Sequence, residues 1–232
     1  MIKKNYLVLG SKAWNRRVFD EAISEYPGEW HFIDGPEALT IETVSKISPR
    51  YLFFLHWSWK VPDVIVNNYD CICFHMTDLP YGRGGSPLQN LIIRGHRTTK
   101  LTALRMVEDF DAGPVYLKKD LSLEGSSAEE IYIRASYLSA EMIRDIVETE
   151  LDPQSQHGEP VLFKRRQPSQ SQIQRPKDLN ALHDFIRMLD AEGYPRAFFE
   201  YNGFRYEFSR AVLYDGKVIA DATITPVERR NI

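Results

Sequence analysis

The residues richest in chemistry lie in "CFHMTDLPYGRGGSPLQN", residues 73–90. His75 ends an apolar run, and a Gly- and Pro-rich turn follows with Arg83 inside it. Two further segments have the same character. "DFDAGP", residues 109–114, carries Asp111, and "HWSWKVP", residues 56–62, carries a histidine between an apolar run and a proline. Each falls at the end of an expected strand or between two of them. A histidine and an aspartate that meet there can run acid–base chemistry on an acyl group. Each piece also has a plain structural reading. A strand-end histidine is often partly buried and satisfied, "DAGP" is a common kind of turn, and Arg83 alone reads as a solvated charge.

Positioning these residues requires strands that stop where they stand. "NYLVLG" (5–10) reads as a buried strand, and "WNRRVFDEAISEY" carries Val18, Phe19, Ala22, Ile23 and Tyr26 at helical spacing. "WHFID" (30–34), "YLFFLHW" (51–57) and "DCICFH" (70–75) read as strands, and "PEALTIETVSKI" (36–47) as a helix with proline in its first turn. "SPLQNLIIRG" (86–95) predicts a helix capped by Ser86. "KLTALRMVEDF" and "PVYLKKDLSL" predict a pair of strands, and Ser126 or Ser127 is placed to cap a long amphipathic helix. Alternating strands and helices predict an α/β, Rossmann-like, mainly parallel sheet with helices on both faces. Sites in such sheets lie in loops at the carboxyl ends of the strands. After Leu151 the chain turns polar and proline-bearing. It then alternates, with hairpin signals at Asn202-Gly203 and Asp215-Gly216. Residues 1–150 are expected to form the catalytic domain, and residues 151–232 a small region of one helix and β-hairpins.

The bulk numbers narrow the class. A chain of 232 residues, 43% hydrophobic and 26% charged, suits a globular protein with one sizeable core. A net charge of -3 gives no sign of a polyanionic partner. Cys71 and Cys73, two apart on a strand, share a face and imply no disulfide framework, which fits a cytoplasmic location. The start, with only a short apolar run before polar residues, reads as neither a signal peptide nor a membrane span, so neither is expected. No ligand cluster has zinc spacing, so no metal is expected.

Together, "CFHMTDLP", "GRGGSPLQN" and "FDAGPVY" resemble the folate-dependent formyltransferase family. Its pattern is Asn-x-His, a Ser-Leu-Leu-Pro-type loop with Arg-Gly, then Leu-Asp-x-Gly-Pro. The resemblance covers residues 1 to about 123 and reaches "YPRAFFEYNGFRYEFSRA". It implies His75 and Asp111 as catalytic residues and N10-formyltetrahydrofolate as formyl donor. An amine would attack the formyl carbon directly, with His75 stabilising the oxyanion and Asp111 holding His75 and helping to move the amine's proton. Cys73 stands where the family has Asn, and a thiol is a weak donor. Losing one oxyanion donor costs about 10²–10³ in turnover unless another group replaces it. Cys73 is expected to be structural or a substitute donor. The resemblance places the folate at Trp57, Ser58, Trp59, Lys60 and Val61 and at Glu108, Asp109 and Phe110. The acceptor wall would be Thr77, Tyr81, Gly82, Arg83, Gly84 and Gly85.

The short chain and its acidic balance point away from a tRNA substrate and toward an amino-deoxysugar linked to a nucleotide, as in surface-glycan biosynthesis. Arg83, Lys164, Arg165 and Arg166 would then meet the diphosphate. The expected partners are a nucleotide-linked amino sugar and a second copy of the chain through the C-terminal region, with no nucleic acid and no membrane. Two alternatives remain: formylation of a carrier-bound amino acid in peptide synthesis, or a catalytically inactive, formyltransferase-like binding protein.

Overall fold

The computed structural model describes residues 4–227. In chain order the elements are β1 (Asn5–Gly10), α1 (Ala13–Glu21), β2 (Glu29–Ile33), α2 (Ile41–Ile47), β3 (Tyr51–Leu55), α3 (Asp63–Asn68), β4 (Cys71–His75), β5 (Tyr81–Gly84) and α4 (Pro87–Ile93). They continue with β6 (Thr98–Arg105), β7 (Val115–Ser122), α5 (Ala128–Thr149), β8 (Val161–Phe163), α6 (Leu179–Arg187), β9 (Ala197–Tyr201), β10 (Phe204–Tyr214) and β11 (Lys217–Pro226). They fall into two compact units built from interleaved segments. Of the described residues, the first holds 4–84, 99–121 and 133–162, and the second 85–98, 122–132 and 163–227.

The first unit is organised by a six-stranded sheet of order β2-β1-β3-β4-β6-β7. β1 pairs in parallel with β2 and β3, β3 pairs in parallel with β4, and β4 meets β6 antiparallel. Continuous apolar runs such as "YLFFL" suit strands covered on both sides. Leu7, Leu9, Leu52, Phe54 and Cys71 form a core with Val44 of α2 and Ile65 of α3. The opposite face takes α1, where Phe19 meets Phe32 and Asn15 Nδ2 donates to Ser136 Oγ of α5 at 3.1 Å. Burying a phenylalanine such as Phe53 or Phe54 contributes about 1.5–3 kcal/mol each. Because β1 to β4 run parallel, their carboxyl ends gather on one edge, where the order reverses between β1 and β3.

In the second unit, α6 carries the fully buried Arg187, whose Nη1 donates to the Leu123 carbonyl at 2.8 Å while its Nε pairs with Asp184 at 2.7 Å. β9, β10 and β11 form an antiparallel sheet turned at Asn202-Gly203 and Asp215-Gly216. Phe199, Tyr201, Phe204 and Ile224 of that sheet remain exposed.

Three local expectations change. The helix expected over residues 36–47 is a short turn at Pro36–Ala38 followed by α2, because Thr40 Oγ1 accepts the Thr43 N–H at 3.1 Å and starts a new helix there. Ser86 does not cap α4. It sits at a left-handed φ of 52°, and its Oγ accepts the Arg166 N–H at 3.1 Å. β5, a short glycine-bearing strand, lies in what the sequence suggests is a loop. At the start of α5 Ser127 caps as expected: its Oγ accepts the Glu130 N–H at 3.2 Å, and the Glu130 carboxylate reaches back to accept the Ser126 N–H at 2.9 Å. Among the described residues no helix is long and apolar enough to cross a membrane.

Candidate active site

Strand alternation puts Cys71, Cys73 and His75 on one face of β4, with His75 last and 8% exposed. Its Nε2–H donates to the Gly82 carbonyl at 2.8 Å, and its Nδ1 lies 3.4 Å from Asp111 Oδ1. Both ring nitrogens therefore face oxygen acceptors. Asp111 adopts a left-handed φ of 54°. Its other carboxylate oxygen accepts the Gly84 N–H at 2.9 Å. The carboxylate thus binds the histidine and the loop after it at once.

That loop is held from several sides. Thr77 is fully buried, and its Oγ1 donates to the same Gly82 carbonyl at 3.4 Å. Thr102 Oγ1 donates to the Thr77 carbonyl at 2.6 Å. Lys118 Nζ reaches Asp78 and the Leu79 carbonyl, both at 2.5 Å. Tyr81, Arg83 and Gly84 are half-buried. Arg83 donates through Nε at 3.1 Å and Nη2 at 2.9 Å to Gln156 Oε1. Gln156 Nε2 in turn donates to the Asp111 and Gly113 carbonyls, each at 2.8 Å.

Cys73 pairs in register with Phe54 and Leu104. Burial pushes its thiol well above the usual range, and the negative charge of Asp111 pushes it further. Cys71 is pushed up to about 12, mainly by burial. Both cysteines are free thiols, and neither is prepared to act as a thiolate nucleophile.

The two outer loops differ in texture. Trp57 packs on the β-sheet core and lies edge-on to Phe54 and Trp59, and its Nε1 is buried without a hydrogen-bond partner. Ser58 and Trp59 are exposed, Lys60 pairs with Asp63 at 2.9 Å, and Val61 is a core residue, 4% exposed. In the second loop Met106 joins the core, while Glu108, Asp109 and Phe110 are exposed, Phe110 to 83%. Lys164, Arg165 and Arg166 belong to the second unit, where Lys164 and Arg165 are exposed. Gly85 lies there too, so close to Arg165 that a side chain at 85 would collide with it.

His56, just past β3, is a half-buried base. It sits at a φ of 48° with its ring edge-on to Trp14, 6.0 Å away. Burial, with a smaller contribution from Lys12, lowers its pKa to about 4. The unfolded chain titrates this group near 6.5, so the neutral folded form stabilises fully above that pH. The contribution fades as pH falls from 6.5 toward 4 and totals roughly 3 kcal/mol. Urea unfolding at pH 7.5 and pH 5 should show about 2 kcal/mol of this loss in the wild type and none of it in His56→Gln. An equal pH slope in the two proteins would remove His56 as the cause.

The sequence reading missed Gln156. It lies in "DPQSQHGEP", which has neither periodicity nor a motif, and only the fold brings it beside Asp111.

Comparison with known proteins bears on the acceptor. A family model for the methionyl-tRNA formyltransferase C-terminal domain matches residues 168–225. The methionyl-tRNA formyltransferase of Rickettsia prowazekii is 34% identical over 107 residues, and the match spans 45% of this chain but only 35% of the relative's length. The solved structure of the methionyl-tRNA formyltransferase from Clostridium thermocellum is 45% identical with a TM-score of 0.91, covering 96% of this chain and 99% of that one. HypX from Aquifex aeolicus in complex with tetrahydrofolic acid shares the fold, at 18% identity and a TM-score of 0.72 over 89% of this chain and 37% of its own. These findings overturn the expectation of a nucleotide-linked amino sugar and of no nucleic-acid partner. They favour the alternative of an amino acid held on a carrier. Length misled, because a relative of the same extent bears the methionyl-tRNA name. Charge misled, because a net value averages over the chain: "FKRRQPSQSQIQRPK", residues 163–177, has five basic residues and no acidic one. By its identity and full-length match to the Clostridium structure, the chain belongs to the folate-dependent formyltransferase family.

Proposed function

We propose that the chain transfers a formyl group from N10-formyltetrahydrofolate to the α-amine of methionyl-tRNA. The observation that carries the chemistry is the half-closed pair of His75 and Asp111 at the carboxyl edge of the sheet. Support for the acceptor comes from the relatives' names.

Formyltransferases of this family take the formyl group from N10-formyltetrahydrofolate. The residues present fit such a donor. A flat ring that hydrogen-bonds along its edge suits the buried, unpartnered Trp57 Nε1–H and the loop of Glu108, Asp109 and Phe110. Val61 supports from beneath, as a core residue. The donor supplies an activated one-carbon acyl group.

The chain's own groups do the rest. In the reaction the His75 Nε2–H, which donates to the Gly82 carbonyl in this structure, turns to the formyl oxygen and offsets the negative charge gathering there. Asp111 orients the ring through Nδ1. The α-amine must attack unprotonated and shed a proton as its bond forms, and the Asp111 carboxylate is the base placed beside His75 for that transfer. Cys73, a neutral thiol, takes no covalent part.

The test is formyl transfer from N10-formyltetrahydrofolate to methionyl-tRNA, with uncharged tRNA and free methionine as controls. Formylmethionyl-tRNA is the expected product. Folate binding without transfer to methionyl-tRNA would refute the acceptor, and absence of folate binding would refute the whole reading.

A further inference from the structure

We infer that Gln156 is a positioning residue for the reaction, holding the base loop and Arg83 in one geometry. This rests on the proposed formyl transfer and adds a residue to it. The side chain is used completely. Its amide nitrogen has two hydrogens, which go to the Asp111 and Gly113 carbonyls at 2.8 Å each. Its amide oxygen accepts from Arg83 Nε at 3.1 Å and Nη2 at 2.9 Å. Carbonyls only accept and a guanidinium only donates, so the amide has one possible orientation. Among neutral side chains only the carboxamides offer two donors and two acceptor sites, and asparagine is one methylene shorter.

The bonds fall where the chain needs restraint. Asp111 has a left-handed φ of 54°, a conformation that disfavours a side chain unless its surroundings impose it. The Gln156 bond fixes the carbonyl of that same residue. The Asp111 carboxylate then reaches the Gly84 N–H at 2.9 Å and lies 3.4 Å from His75 Nδ1. Arg83 is directed by a neutral amide and is left with its charge for an anionic or carbonyl oxygen of the acceptor. Gln156 therefore joins β5, at Arg83, to the loop after β6, at Asp111 and Gly113, from a segment distant in sequence from both.

Two substitutions separate its two ends. Gln156→Met removes all four bonds. Gln156→Glu keeps the pairing with Arg83 but turns acceptors toward the Asp111 and Gly113 carbonyls, so only the tie to the base loop breaks. Both variants are expected to lower kcat about 100-fold, since a displacement of about 1 Å at the reacting groups has that effect. The KM for N10-formyltetrahydrofolate should change less than kcat, because Gln156 holds the Asp111–Gly113 end of the β6–β7 loop and makes no bond to Glu108, Asp109 or Phe110. Independently of turnover, the imidazole carbon-bound proton resonances of His75 should shift in both variants as Asp111 retreats, with the thermal transition still cooperative. If Gln156→Met does not fold, Gln156→Glu carries the test alone. A kcat within threefold of wild type in Gln156→Glu, or unmoved His75 resonances, would overturn the inference. A wild type that binds folate but transfers no formyl group to methionyl-tRNA would refute the acceptor assignment instead, and the His75 resonances would still decide the role of Gln156.

Discussion

Alanine at position 75 is expected to lower kcat for formyl transfer by about 10³-fold, with folate affinity little changed. The magnitude follows from what the ring supplies. One oriented donor to a developing oxyanion is worth about 10²–10³, and the proton transfer that the ring organises with Asp111 about 10²–10⁴. The two act through the same pair, so their effects do not multiply. Asp111→Asn should keep the contact with the Gly84 N–H, because the amide oxygen can accept it, but lose the charge facing His75 Nδ1. Its kcat is expected to fall about 10²-fold or more. Cys73→Ala is the contrasting variant. Its thiol is pushed upward by burial and by Asp111, so it contributes packing and is expected to cost less than tenfold in kcat. Single-turnover formylation of the three variants at saturating folate would separate chemistry from binding. A loss in Cys73→Ala equal to that in His75→Ala would replace direct transfer with a covalent route through sulfur.

How much of this could be read in the sequence depends on the range of the interactions. β1, β3 and β4 are visible because buried parallel strands are continuous apolar runs. The two C-terminal hairpins are visible because Asn-Gly and Asp-Gly select their turns. The pairing of His75 with Asp111 followed from strand ends and a family pattern. What stayed hidden depends on contacts between distant segments. β5 has too few apolar side chains to look like a strand. Ser86 looks like a cap, yet its hydroxyl is taken by Arg166, eighty positions away. The same holds for Gln156, whose four bonds exist only once residues 83, 111 and 113 have been brought together. The acceptor was misread for a different cause. Charge and length are sums over the whole chain, while a nucleic acid meets only the local surface.

Gly113→Ala is expected to reduce both stability and turnover, and one contact accounts for both. A Cβ at this position would overlap the Arg105 carbonyl oxygen and also approach Val107 Cγ1 at 3.3 Å. The exposed Val107 side chain can move, but the Arg105 carbonyl is backbone of β6 and cannot. Arg105 N–H donates to the Pro114 carbonyl at 2.9 Å, closing the loop between β6 and β7 across Gly113 itself. Gly113's own carbonyl is held by Gln156 at 2.8 Å. Overpacking of a core by one or two carbons costs about 1–3 kcal/mol when side chains can move. Here the opposing atom is backbone, so a loss of about 3 kcal/mol or a displaced loop is expected. Displacement carries Asp111, two residues earlier, away from His75, and about 10²-fold in kcat should go with it. Urea unfolding and kcat measured on the same preparation test the two effects together. Stability lost with kcat intact would mean that the loop relaxes away from the reacting groups, and that the glycine serves only the fold. Wild-type values for both would mean that the β6–β7 turn is not closed against Arg105 as described.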